Sequence, residues 1–436
     1  MKEKMKKHLS APGLLQAVYR NFCSIKDPLG SKTEYPLSSC LMSGLAMFKM
    51  KFSSMLQFVG SMENEALQFN LKTLYHVEKV PSDTYMRERL DRVHPSRCDQ
   101  AYKSCFRACQ RGGVLPLFHF LDEYVLVSCD GTGYFHSKKV LCDQRCTKHH
   151  RDGSISYEHH MMCGVMVHPD QSVVIPLGIE PIIQQKDTVK NDCERQASKR
   201  FLSRLRSMHP FLKMVIVEDA LHAHSSHIEH LKSLDYQYIL NVKRGSHKWL
   251  FDCIERSYTQ HKTYKKEGVT YQLRWCNHVQ LNDSSDTKVN FLECVEINAK
   301  NKERRFCWIT SFKVDENNVF DLMKGGRSRW KIENETFNTL KKQGYNFEHN
   351  YGHGYQHLST ILAHLMMIAF TIDQIEQLCC PLFQKALKAN KRKCYLWEKM
   401  RGWIIEYHID TWEIFYKCLV KKNANIKLAD LFFDSS

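Results

Sequence analysis

Three acidic residues stand where apolar runs give out. Asp130 closes VLVSC and is followed by Gly131-Thr132-Gly133, so a backbone there can approach a ligand closely. Asp219 closes KMVIV beside Glu218; in an extended strand these neighbours point to opposite faces, and Asp219 is the one that shares the side of Val217 and Val215. Glu333 lies in GGRSRWKIENETFNTLKK, where Arg329, Glu333, Phe337 and Lys341 recur every four residues as one slowly drifting helical stripe bordered by Trp330 and Leu340. Carboxylates at the ends of buried strands suit one chemistry above others. Phosphoryl transfer without a covalent intermediate needs an activated oxygen nucleophile and neutralisation of phosphate charge, and two hard divalent cations on a few carboxylates supply both. Each acid has a plainer reading. Asp130 and Asp219 could cap turns, and Glu333 could belong to ordinary i,i+4 ion pairs.

The elements that must position these acids follow from pattern. Residues 1–118 read as mostly helical, with a capping signal at Ser82 and Asp83, a stop at Pro95 and a terminator at Gly112-Gly113. EYVLVSCDGTGYF reads as a strand ending in an acidic turn, and HHMMCGVMVHP and SVVIPLGIEPI as a strand pair. Then come a polar helix over 188–208, the strand KMVIVEDAL, the helix SSHIEHLKSL and the strand YQYILNVK. Residues 245–312 are strand-rich again (VTYQLRW, NFLECVEIN, RRFCWITSF), and from 316 onward the text is helical. Three antiparallel-type strands followed by alternating helix and strand indicate an α/β mixed sheet, in the order of a ribonuclease-H-like core interrupted by an insertion. The expected division is a helical region over 1–118, the first part of the core over 119–244, a strand-rich insertion over 245–312, the helical remainder of the core over 313–380, and a basic, aromatic region over 381–436.

Of the chain's 436 residues, 63 are Lys or Arg and 47 Asp or Glu, a net charge of +16 that draws a globular protein toward polyanions, nucleic acid first among them. Lysines Lys2, Lys4, Lys6 and Lys7 and the run Lys388, Lys391, Arg392 and Lys393 could grip DNA or simply be solvated. The apolar stretch 361–372 is too short for a bilayer and is followed by Asp373 and Glu376, so a buried core helix is expected, with no membrane partner. The basic N-terminus lacks the apolar run of a secretory signal, and 18 scattered cysteines fit a reducing cytosol. No Walker loop or nucleophile elbow is present, so no nucleotide cofactor is expected.

VLCDQRCTKHH gathers Cys142, Cys146, His149 and His150 within nine residues, a set of soft donors that could hold zinc, with His159, His160 and Cys163 near in sequence. The spacing matches no standard finger, and a polar loop whose histidines meet DNA phosphates is the competing reading.

The segments DGTGYF, VEDALHA and RWKIENETFNTLKKQGYNFEHNYGHG resemble the three catalytic blocks of insertion-sequence (IS4-like) DDE transposases, and the resemblance spans about 65 to 380. It implies that Asp130, Asp219 and Glu333 form the catalytic, metal-holding triad for two Mg²⁺ ions, with Mn²⁺ able to substitute. It also implies that Arg327, Arg329, Trp330, Lys341 and Lys342 face DNA. The expected partners are element ends and target DNA, met by a homodimer, in a bacterial-type cytoplasm at the nucleoid. Two features depart from the family: Gly326 stands where a tyrosine is frequent, and the lysine falls one residue late, leaving Glu335 as a second candidate for the third acid. A non-joining nuclease of the same fold, or an inactive DNA-binding descendant, would carry much of the same text.

Overall fold

The computed structural model describes residues 7–27, 29, 30, 33–139, 142, 145–183 and 194–420. Lys2, Lys4 and Lys6, and the first residues of the helix expected from 188, lie outside them. The N-terminal part is helical as its capping signals predict: α1 (Ala11–Cys23), α2 (Leu37–Lys49), α3 (Met55–Gly60), α4 (Glu65–Tyr75), α5 (Asp83–Asp91) and α6 (Asp99–Arg111). The Ser82 hydroxyl accepts from the Tyr85 amide at the start of α5, satisfying one of the amides a helix start leaves open.

The sheet follows: β1 (His119–Phe120), β2 (Tyr124–Ser137), β3 (Cys146–His149), β4 (Ile155–Val167), β5 (Ile175–Ile182), then α7 (Glu194–Met208), β6 (Met214–Glu218), α8 (Ser225–Ser233) and β7 (Gln237–Asn241). β2, β4 and β5 pair antiparallel, whereas β2–β6 and β6–β7 pair parallel. This is the mixed α/β sheet of a ribonuclease-H-like core, with α7 packed across β4 and β5.

Two local expectations change. DGTG does not end a strand. β2 runs on to Ser137 because β4 is long enough to pair with it from Leu126↔Val167 to Ser137↔Tyr157, with one register shift between Gly133 and Phe135. The segment from 245 onward holds α9 (Lys248–Arg256), β8 (Gln260–Lys266), β9 (Val269–Asn282), β10 (Ser285–Ile297) and β11 (Glu303–Thr310). β11 pairs with β7, so these strands extend the core sheet in the order β3-β4-β2-β6-β7-β11-β10-β9-β8.

The chain then returns across the sheet as α10 (Val319–Arg327), a π-helical stretch Ile332–Phe337, α11 (Asn338–Lys342) and the 22-residue α12 (Leu358–Cys379). It finishes with α13 (Pro381–Asn390), α14 (Lys393–Glu406) and α15 (Trp412–Val420). Length and composition alone would let α12 cross a membrane, yet its apolar window is wholly buried, packed against α1, α2, α5, α6 and β5. It is the core helix expected from residues 361–372. Asp373 and Glu376 at its far end meet Lys49 and Lys51 in a sealed ion cluster.

Candidate active site

The parallel pairing of β2 with β6 matches Ser128 to Val217. Two residues further along each chain the same register brings Asp130 beside Asp219, where β6 has ended and β2 continues. Asp219 is partly exposed, and its Oδ1 accepts from the Leu221 amide at 2.9 Å. Its neighbour Glu218 points the other way and is fully buried. There it accepts from Ser198 Oγ at 2.6 Å and lies 2.6 Å from His227 Nε2. Opposite faces for the two acids are what strand geometry dictates.

Glu333 arrives from the other side. Ser128 Oγ donates to the Arg329 carbonyl at 3.0 Å, tying β2 to the returning helix. Arg329 Nη1 donates to Asp130 Oδ2 at 3.1 Å and Nη2 to Glu333 Oε1 at 2.7 Å. One guanidinium thus joins carboxylates that lie 203 positions apart in the chain. The helix is not regular here. Residues 332–337 are π-helical, so the four-residue stripe expected through Phe337 and Lys341 is reset after Glu333. Such stretches occur mostly as isolated insertions at functional sites.

A fourth acid, Glu194, opens α7. A Cβ on Gly131 would lie 2.7 Å from Glu194 Oε2, so a larger residue there would push this carboxylate from its place beside the strand. Glu194 Oε1 is 3.5 Å from His222 Nε2. Burial drives the Asp130 carboxyl up to about 7; Arg329 draws it down, while Glu194, Glu333 and Asp219 push it further up. Burial lowers His222, but Glu218, Glu194 and Asp219 overcome this and bring it up to about 9. No sequence signal marked Glu194. The nearest hint was the Gly131-Thr132-Gly133 run, whose first glycine leaves room for this acid.

The residues expected at DNA are placed unevenly. Trp330 is 44% exposed, a large apolar surface beside the acids. Arg327 covers the Phe306 ring at 3.9 Å and pairs with Glu296 at 3.3 Å. Lys341 pairs with Glu348 at 2.8 Å, and Lys342 is exposed. Arg329, expected at a phosphate, is instead buried against the two carboxylates. Gly326, where a tyrosine was expected, lies under Trp308: a Cβ would come within 2.5 Å of Nε1, so the indole occupies the space a side chain would need. Glu335 lies round the helix from Glu333.

The four proposed zinc donors do not converge. Cys146 Sγ donates to the Ile182 carbonyl, His149 is exposed, and His150 Nε2 is 2.7 Å from Ser156 Oγ. Cys142 instead faces His159. Adjacency in sequence failed because β3 alternates its side chains between faces.

The sequence pattern of the family described as Transposase DDE domain matches residues 147–371, more than half of the chain. The match includes Asp219 and Glu333 and begins past Asp130. No curated protein sequence matches the chain.

Proposed function

Since the chain belongs to the DDE transposase family and is a transposase acting on DNA, we propose that Asp130, Asp219 and Glu333 form its catalytic centre, joined by Glu194. The donor set fits divalent cations: four carboxylates gather from the middle of β2, the end of β6, the π-helical stretch and the start of α7, and the Asp130 carboxyl is pushed up to about 7 by burial and its acidic neighbours. That excess of negative charge, only partly offset by Arg329, is the observation that carries the reading. Two Mg²⁺ ions held by these carboxylates, or Mn²⁺ in their place, would supply an activated oxygen nucleophile and charge neutralisation at the phosphate.

The chain's own groups do the rest. Arg329 holds Asp130 and Glu333 in one orientation. His227 and Ser198 fix Glu218, and so fix the turn on which Asp219 is carried. Exposed Trp330 offers a stacking face, and Lys342 and Lys341 offer cations that position a backbone without reading its sequence. The reaction is hydrolysis at the ends of the mobile element, then attack by the freed 3′-hydroxyl on target DNA. The helical region 1–118 is suited to binding the ends and the basic region 381–436 to supporting DNA, in a homodimer that pairs two ends.

The test is a cleavage and strand-transfer assay with Asp130→Asn, scored beside binding of the same DNA. Lost cleavage with retained binding is expected. A variant that cuts at the normal rate overturns the triad. A wild-type protein that cuts but never joins a supplied 3′-hydroxyl end is a nuclease, and one that binds and never cuts is a DNA-binding descendant.

A further inference from the structure

We propose that Cys142, His159 and His353 bind one structural zinc ion, separate from the carboxylate centre, which fastens the loop behind the Glu333 helix to the strands that carry Asp130. Cys142 comes from the connection between β2 and β3, His159 from β4, and His353 from the loop between α11 and α12. All three are buried, and their donor atoms lie within 4.8 Å of one another. His159 Nε2 is 3.2 Å from Cys142 Sγ and 3.2 Å from His353 Nδ1.

The two shorter separations are close to those of a coordination shell. With bonds of about 2.0–2.1 Å to nitrogen and about 2.3 Å to sulfur, tetrahedral zinc sets two nitrogens about 3.3 Å apart and a nitrogen and a sulfur about 3.6 Å apart. Hydrogen bonding explains the trio less well. A neutral imidazole nitrogen either donates one hydrogen or accepts through one lone pair, so His159 Nε2 serves only one of its two neighbours well, whereas a cation among them serves all three.

The setting points to a structural role. The Phe135 ring lies 3.9 Å from that of His353, on the strand that bears Asp130. The far end of the same loop is already fixed, because the Asp91 carboxylate accepts from the amides of Tyr355, Gln356, His357 and Leu358. A metal at His353 would fix the near end. Three protein donors leave one tetrahedral position, which a water would take; the burial of all three donors, not their number, assigns the structural role.

The full-length protein, purified without chelator, is expected to carry about one equivalent of zinc, retained in Asp130→Asn and lost in Cys142→Ser and His353→Ala. Removing the zinc should lower the melting temperature of wild type and leave the two ligand variants unmoved. Cobalt added to stripped wild type should give a thiolate charge-transfer band and the visible bands of a four-coordinate ion, a readout that stands even if a variant fails to fold. Sub-stoichiometric zinc in wild type, zinc unchanged in both ligand variants, or cobalt without a thiolate band would each overturn the site. The Asp130→Asn control separates this outcome from failure of the carboxylate centre.

Discussion

The molecule holds two clusters of acids, and they are built on opposite principles. In the helical layer Asp373 and Glu376 meet Lys49 and Lys51, two charges against two, all buried. Tyr345 and Tyr416 hydroxyls and the Ala11 amide complete the hydrogen bonding at 2.6–2.8 Å. Burial pushes the Asp373 carboxyl up, but Lys49 and Lys51 overcome it and hold it low. At the sheet, Asp130 is surrounded by Glu194, Asp219 and Glu333 with one bridging Arg329, and its carboxyl rises to about 7. The same side chain is shifted in opposite directions by its neighbours. A cluster that carries its own counter-charges is finished by folding, and one that lacks them keeps a surplus of negative charge, the property on which the proposed metal binding rests.

The difference is broken most sharply from the sealed side. Asp373→Asn leaves Lys49 and Lys51 buried with only Glu376 between them. Removing one partner of a buried pair destabilises by about 3–5 kcal/mol, so a large fall in the denaturant midpoint is expected. An unchanged midpoint would mean that the cluster is not holding the helical layer together.

The matching change at the sheet should do the reverse. Asp130→Asn relieves repulsion, so the metal-free protein should keep or gain stability. Cleavage should fall by at least roughly 10²–10³-fold, the scale on which single active-site electrostatic groups act. Parallel unfolding curves and single-turnover cleavage would check both halves. A loss of stability like that of Asp373→Asn would place the two clusters in one class.

Much of this contrast was legible in the sequence, and the reasons are particular. Acids that close apolar runs and the Arg329-Trp330-x-Ile332-Glu333 run pointed to three members of the open cluster, although β2 continues past Asp130 where the pattern suggested an end. Asp373 and Glu376 directly after an apolar run hinted that α12 ends in a core. What escaped was tertiary. Glu194 is brought in by the way α7 crosses the sheet, His353 reaches His159 from 194 positions away, and no spacing rule spans such distances. The π-helical turn at 332–337 was hidden as well, since an apolar stripe of period 3.6 looks the same until one residue is inserted into it.

Glu194 sharpens the comparison further. It stands outside the triad expected from the sequence, and its carboxylate sits on Gly131. As a supporting acid, its replacement in Glu194→Gln should weaken Mg²⁺ affinity by about 10–100-fold, the range seen when groups that orient or support metal ligands are lost. Folding should be intact and cleavage restored at high Mg²⁺. A magnesium titration of activity would read this directly, and an unchanged midpoint would remove Glu194 from the centre.

The smallest effect is one of pH, and its sign follows from the raised carboxyl of Asp130. A group whose folded pKa lies above its unfolded value binds protons more tightly in the folded chain. Its contribution is fully favourable below the unfolded value of 3.8 and is lost as pH rises through about 7. Asp130→Asn is neutral throughout, so in chelator the melting temperature of the variant minus that of wild type should be level below about pH 4, grow between about pH 4 and pH 7, and level off above. Titrating groups remote from Asp130 contribute to both proteins and cancel in the difference. Added Mg²⁺ should reverse the order at neutral pH by stabilising wild type through binding while leaving the variant nearly unmoved. A difference that stays flat across this range would mean that Asp130 is already neutralised by Arg329, and the open cluster would then be as self-sufficient as the sealed one.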